Sequence, residues 1–437
     1  MLLEFSLRNF RSFRDEQTFS LIANAGTEHH DTHTMCIPGD DERRALRSSA
    51  VYGPNASGKT NLLLGLRAME QVVVKSAVAS QRGDQIEPID PFRLTKENRD
   101  APTAFEAVFI VDGVEYQYGF EATHKEVVEE WLYAYPRGQA RRWFTRSHNV
   151  NHSEGTFNPG DYLKGQRKQI WEATRANALF LSTAAQLNNK QLAPIFDWFR
   201  NSLAYLPGRQ VGHRFTAKAC TGEVQKQRIL SLLRAADLGI ENVIINEEPV
   251  NLEDLPAGLR DLISSSGQKD DLEQILSQTI RFQHNSEESE ESLLDLQEES
   301  QGTQQFFALA GPILDVLDKG RILFVDELDS SLHPSMVREI VSLFNNSETN
   351  PNGAQLVFNT HDVTLLDQSL LRRDQIWLTE KFNDGASHLI PLLDFKPRKG
   401  TEALQKNYLQ GRYGAMPIPR IREQALRSIT LTHEANS

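Results

Sequence analysis

Cysteine is scarce: 437 residues hold only Cys36 and Cys220. That excludes a disulfide framework and any cysteine-based zinc spacing, and it fits a reducing compartment. Long apolar runs are missing too. No stretch approaches the ~18 residues that span a bilayer, and the opening Met1-Leu2-Leu3-Glu4-Phe5 meets a charge at once. Neither a signal peptide nor a membrane segment is expected, and the cytoplasm is the expected location. No a/d heptad runs for several turns, which excludes a long coiled coil. Positive charge is in deficit: the net charge of −12 argues against a protein that coats nucleic acid non-specifically, while leaving room for a local basic patch. What is present is an ordinary globular composition, 39% hydrophobic, enough for a sizeable core in two or three domains or in one domain with a large insertion.

The chain is organised around Tyr52-Gly53-Pro54-Asn55-Ala56-Ser57-Gly58-Lys59-Thr60-Asn61, which satisfies G-x-x-x-x-G-K-S/T between a short apolar strand (49–52) and an amphipathic helix (60 to about 79). Glycines there let backbone N–H groups close around phosphate oxygens, and the helix N-terminus adds the positive end of its dipole. Lys59 is placed to reach the β- and γ-phosphates, and the Thr60 hydroxyl to ligate Mg²⁺.

Before this loop, residues 2–25 read as a hairpin of two strands. The polar stretch 28–44, with His29, His30, Asp31 and His33, has a metal-like composition but no fixed spacing, and reads as a solvated loop. After it, 105–111 and 114–121 flank Asp112-Gly113, a strong hairpin signal, and 127–135 and 142–145 continue a small antiparallel meander. Residues 168–203 and 222–238 have helical spacing. The acidic run 284–300 reads as a solvated mobile loop.

Ile322-Leu323-Phe324-Val325-Asp326-Glu327 is a buried strand ending in two carboxylates, the form in which Asp326 supports Mg²⁺ and Glu327 polarises an attacking water. Upstream, Glu299-Ser300-Gln301-Gly302-Thr303 opens an apolar helix; downstream, Leu328-Asp329-Ser330-Ser331-Leu332-His333-Pro334 follows the strand. A further strand, 355–359, ends in Thr360-His361-Asp362. Arg372-Arg373 and Lys396-Pro397-Arg398-Lys399 are dense basic runs, solvated faces by default and the places to look for nucleic acid or an acidic partner.

In order and spacing these segments resemble the signature motif, Walker B strand, D-loop and switch histidine of ABC-type ATPases. "LEFSLRNFRSF", "YGPNASGKTNLL", "ESQGT", "FVDELDSSLHP", "NTHD", "LRRDQIWLTEK" and "YLQGRYGAMP" look more closely like the AAA-annotated ATP-binding proteins of bacterial phage-defence loci, the RloA and AbiL group, related to SMC-type and OLD-family ATPase heads. The resemblance implies an α/β P-loop NTPase fold, an ABC/SMC-type head with an antiparallel β subdomain and a helical insertion, divided at 1–125, 126–280 and 281–437.

By that resemblance ATP with Mg²⁺ binds at Gly53 through Asn61, and Arg11 lies toward the adenine or ribose. His361 senses the γ-phosphate, and Ser300 and Gly302 bind the γ-phosphate of ATP held by a second copy. Gln186 stands as the Q-loop candidate on the metal. The implied protein is a homodimeric ATPase switch of an anti-phage system controlling a separate effector, often a nuclease; the alternative is a DNA-repair or DNA-end ATPase acting on DNA directly. About 75 residues follow His361, and 376–380 with 389–392 look like closing strands of the head, leaving no room expected for a nuclease domain.

Overall fold

The computed structural model describes residues 1–79, 81–148, 155–208, 211–249, 276–284 and 292–416. Contacts divide the chain into two compact units, one of residues 1–203 and 357–437 and the other of 204–356.

Unit one opens with β1 (Leu2–Arg8) and β2 (Gln17–Ser20), antiparallel as their alternation predicts. The stretch 28–44 is not a solvated loop. It forms α1 (His30–His33), β3 (Thr34–Ile37) and β4 (Asp40–Leu46). The reason is burial: Met35, Ile37 and Ala45 pack with Leu3 and Ile110 in a common core cluster. His33 is buried and its Nε2 bonds the Leu370 carbonyl at 2.9 Å while Nδ1 bonds the Thr32 hydroxyl. Desolvation lowers its pKa to about 4. It is therefore a neutral packing histidine.

Next come β5 (Ser48–Tyr52), buried throughout, then α2 (Lys59–Lys75) and α3 (Lys96–Asp100). The helix α2 buries Leu62, Leu63, Leu66, Met69, Val72 and Val73, one apolar stripe at helical spacing. The meander follows as β6 (Thr103–Val111), β7 (Val114–Ala122), β8 (Val127–Tyr135), β9 (Arg141–Ser147) and β10 (Thr156–Pro159). Asp112 and Gly113 turn the β6–β7 hairpin at φ 49° and 75°, the pair of left-handed residues a tight hairpin needs. The sheet is larger than the sequence suggests. It has seven strands in the order β10-β9-β8-β7-β6-β1-β2, because β1 pairs antiparallel with β6. Residue 125 falls in the turn between the paired strands β7 and β8.

Three helices close this passage: α4 (Arg167–Ala173), α5 (Phe180–Gln186) and α6 (Ala193–Ser202). The fully buried Glu130 carboxylate accepts from Tyr118 Oη, Arg146 Nε and the Phe180 and Leu181 amides at 2.7–3.0 Å. It thus satisfies the open N-terminus of α5.

Unit two begins within β11 (Leu203–Pro207) and continues with α7 (Arg214–Ala219) and α8 (Glu223–Ala235). The next element departs from a purely helical insertion: β12 (Ile240–Pro249), β13 (Leu276–His284) and β14 (Ser292–Asp295) form an antiparallel sheet. Of the acidic run, 285–291 lie outside the described residues, but 292–299 are not a loose loop. They hold β14 and a capping box in which the Asp295 and Glu298 side chains satisfy backbone amides.

Then come α9 (Gln301–Lys319), β15 (Ile322–Asp326), which neighbours β11, and α10 (Pro334–Asn345). Pro312 lies inside α9 and removes the N–H that would serve the Ala308 carbonyl. Thr216 Oγ1 of α7 donates to that carbonyl at 3.1 Å and accepts from Gly311 N at 3.2 Å. A Cβ at Gly311 would stand 2.6 Å from the same hydroxyl, so glycine is required there.

The chain re-enters unit one along β16 (Gln355–Asn359), then forms β17 (Ile376–Lys381), β18 (Ser387–Pro391) and α11 (Leu404–Leu409). Here β5 lies between β16 and β17; β17 runs parallel to β5 and antiparallel to β18. The first of the two basic runs is put to internal use. The Arg372 side chain is fully buried against Asp374, Asn24 and the Gly26 and Glu28 carbonyls, and Arg373 pairs with Glu28. Neither arginine offers a free cation for nucleic acid, whereas Lys396, Arg398 and Lys399 of the second run are exposed. Among the described residues no helix is long and apolar enough to cross a membrane.

Candidate active site

In unit one, the buried strand β5 delivers the chain to a loop that must turn back on itself before α2. Gly53, Ala56 and Gly58 take φ of 155°, 62° and 114°. Gly58 is the N-cap of α2 and has no side chain to cap it, which leaves the first amides of the helix directed at the loop. The buried Lys59 amine donates to the Gly53 and Pro54 carbonyls at 2.8 and 3.0 Å. It therefore folds back over the loop.

Residues that the sequence did not single out press on this loop from β17 and β18. Ser57 Oγ and Thr379 Oγ1 are hydrogen-bonded at 2.5 Å. A Cβ at Gly53 would lie 2.4 Å from the Thr379 carbonyl, and one at Gly58 2.6 Å from Ser387 Oγ, a buried hydroxyl with no hydrogen-bond partner among the described residues. Both glycines are fixed by contact as well as by φ. Their only sequence signal is that 376–391 closes the head.

Arg11 and Asn61 come together here. Arg11 is left-handed at φ 50°, with its amide on the Asp90 carbonyl at 2.7 Å and its guanidinium 3.3 Å from the Asp90 carboxylate. Asn61 Nδ2 donates to Ser12 Oγ at 2.8 Å. With Leu94 and Lys381 they line a pocket of about 340 Å³ beside the start of α2.

His361 belongs to the same unit. The Thr360 amide donates to the Val51 carbonyl at 3.3 Å, and Tyr52 Oη donates to the Asp362 carbonyl at 3.1 Å. The two residues flanking the exposed His361 are thus tied to the strand that enters the loop. Tyr52 in turn packs edge-on to Tyr408, 5.9 Å between ring centroids.

Gln186 is not brought to the loop. Its helix is held by Ser182 Oγ donating to the Val73 carbonyl, and Val73 is thirteen residues beyond Thr60, about 20 Å along a helix rising 1.5 Å per residue. Gln186 itself is exposed one turn further on.

Unit two gathers the other group. Ser300 is the N-cap of α9, its Oγ accepting from the Thr303 amide at 3.1 Å, the interaction an N-cap serine makes. Asp326 ends β15, and Glu327 and Ser331 take left-handed φ of 54° and 63°. The Glu327 carbonyl accepts from the Ser330 amide at 2.9 Å. A Cβ on Gly302 would stand 3.0 Å from the Ser331 carbonyl, so the start of α9 lies against this turn.

Gly208 is a further residue that sequence reasoning missed. A Cβ there would be 1.8 Å from the Asp326 carbonyl and 2.7 Å from that of Glu327. The Gln305 side-chain amide of α9 donates to the Gly208 carbonyl. The Pro207-Gly208 pair carried a turn signal, but nothing local says what the turn approaches.

No curated protein matches this chain. Among solved structures it is similar to the SMC head domain from Thermotoga maritima, at 14% identity over 89% of this chain and 98% of that one, with a TM-score of 0.38. It is also similar to an SMC head bound to the C-winged helix domain of ScpA, at 12% identity over 89% and 96%, with a TM-score of 0.39. The family model described as "AAA domain, putative AbiEii toxin, Type IV TA system" matches residues 48–367, a span holding the loop at 53–60, Ser300, Gly302, Asp326, Glu327 and His361. With an α/β P-loop fold and that match over most of its length, the chain belongs to this AAA domain family.

Proposed function

We propose that this chain binds and hydrolyses ATP, and that two copies close around two ATP molecules. Each site takes Lys59, Thr60, Asp326, Glu327 and His361 from one copy and Ser300 and Gly302 from the other. The observation that carries the reading is the loop before α2, where left-handed backbone at Gly53, Ala56 and Gly58, an uncapped helix start and a buried lysine coincide. Such a loop is built to wrap phosphate oxygens, with Lys59 exchanging its two carbonyl partners for them.

The Thr60 hydroxyl and the Asp326 carboxylate are hard oxygen donors that fit Mg²⁺. Bound Mg²⁺ would neutralise charge on the β- and γ-phosphates. Glu327 accepts a proton from the attacking water, and Lys59 and His361 stabilise the charge gathering on the γ-phosphate oxygens. The resemblance to the RloA and AbiL group, together with a family description that names a toxin system, supports an output through a separate effector protein in anti-phage defence, restrained or released as the dimer opens and closes.

Phosphate release per protomer, measured across a range of protein concentrations, tests the composite site. Turnover that rises with concentration and is lost in Glu327→Gln is expected. Turnover independent of concentration would remove Ser300 and Gly302 of a second copy from the site.

A further inference from the structure

The chain is acidic as a whole, yet residues 137–175 carry eight Arg and Lys against three Asp and Glu. Not all of this charge is available. Arg146 is spent on Glu130, and Arg175 on the Ser76 and Ala77 carbonyls. What remains is gathered at one edge of the seven-stranded sheet, where β10, four residues long, is the last strand.

Four contacts draw the cations together. Gly160, just past β10, donates its amide to the Trp143 carbonyl at 2.7 Å and lies so close to Arg142 that a Cβ would be 1.9 Å from the Arg142 carbonyl. Arg167 donates back to the Gly160 carbonyl at 3.3 Å. Arg141 places its guanidinium 4.7 Å from the centroid of the half-exposed Tyr162 ring. The loop carrying Lys190 backs Lys164, whose amide bonds Gln191 at 2.8 Å. Alongside runs an open trough of about 880 Å³, lined by Arg167, Lys168 and the stacked rings of Phe157 and Trp171.

Among the described residues of this stretch two acids stand against these cations: the exposed Asp161, and Glu172, which takes Lys168 at 3.8 Å. Arg142 and Lys164 are exposed and make no ion pair among the described residues. A protein that carries net negative charge gains nothing in solubility from a local concentration of unpaired cations. A polyanion does: fixed cations along an edge, interleaved with aromatic faces, match a phosphodiester backbone and its bases.

We propose that this edge, Arg141, Arg142, Lys164, Arg167 and Lys190 with Tyr162, binds a nucleic-acid strand. The surface lies within unit one, does not touch the residues assigned to ATP, and stands or falls independently of the ATPase reading. The test is fluorescence anisotropy of the full chain with a labelled single strand and a labelled duplex of about 30 nucleotides, long enough to cover a patch of this size, across a salt titration. The wild type should bind at least one probe, with affinity falling as salt rises. The double variant Arg142→Glu/Lys164→Glu should bind at least ~10-fold more weakly, with a log–log salt slope flatter by about 1.8 on the duplex or about 1.4 on the single strand. Arg142→Lys/Lys164→Arg, which keeps both charges, should bind as the wild type does, and both variants should melt like the wild type. Absence of binding at low salt would overturn the proposal, as would charge reversal that leaves the affinity unchanged. Competition by polyglutamate as effective as by unlabelled strand would overturn it too, since it would assign the edge to an acidic protein.

Discussion

The loop before α2 and the turn after β15 both force the backbone into left-handed conformations, and they do so with different residues. Before α2, two of the three such positions are glycines, Gly53 and Gly58, and each is also pinned by a neighbour that a Cβ would strike. After β15 the left-handed positions are Glu327 and Ser331, which carry side chains and cost about 1–2 kcal/mol each relative to ordinary backbone. The difference fits the roles proposed for the two segments. A phosphate cradle works through amides that must come close, so losing the side chain is an advantage. A turn that presents a carboxylate cannot use glycine at that residue, and its strain is held by what surrounds it: the Ser330 amide, Gly302 beneath Ser331, and Gly208 against the end of the strand. Strain at such a position is common where geometry is part of function.

Removing the carboxylate should break the comparison most sharply. Glu327→Gln is expected to lower phosphate release by about 10²–10⁴-fold, the usual scale for a lost general base, while nucleotide affinity stays within a few-fold of wild type by calorimetry. On the other side, Lys59→Ala removes a charged donor to the phosphates, worth about 2–3 kcal/mol. ATP affinity should fall roughly 30- to 150-fold, and an unchanged dissociation constant would take Lys59 out of the site.

Gly208→Ala is a subtler probe. The new methyl must displace the end of β15, at a cost of about 1–3 kcal/mol in stability. Turnover should drop while the loop before α2 still binds nucleotide, and a variant with normal melting and normal turnover would show that the close approach is unimportant. The smallest effect sharpens the contrast. Ser331→Gly relieves left-handed strain but frees the unfolded chain, leaving a net gain of about 0.5–1 kcal/mol. Gly58→Ala should instead destabilise, and if both shifted the melting temperature in the same direction the distinction would collapse.

Much of this was legible in the sequence, because the informative segments are local. A P-loop is written in contiguous residues, and so is a strand ending in two carboxylates; the β6–β7 hairpin announces itself through Asp112-Gly113. What was not legible depends on partners far away in sequence. Gly208 matters because of Asp326, Gly53 and Gly58 because of Thr379 and Ser387, and no local pattern links them. The stretch 28–44 misled because its His and Asp content hid the alternation of Met35, Ile37 and Ala45. Arg372 misled for the opposite reason: a charge run is solvated by default, and here burial was offset by Asp374 and a set of carbonyls. Gln186 was placed by the family resemblance alone, and the packing of its helix on the far half of α2 decided otherwise.

Unit one is assembled from residues 1–203 and 357–437, and β5 has as its two neighbours strands that lie about 300 residues later. On the ribosome, at about 5–20 residues per second, the strand that feeds the nucleotide loop waits roughly 15–60 s for its first lateral partner. Closing so long a span makes this part of the sheet a late event in folding. A nascent chain halted between residues 60 and 355 would own the complete P-loop sequence and yet lack the strands on either side that hold it, so on the proposed function nucleotide binding would begin only once synthesis has passed that point.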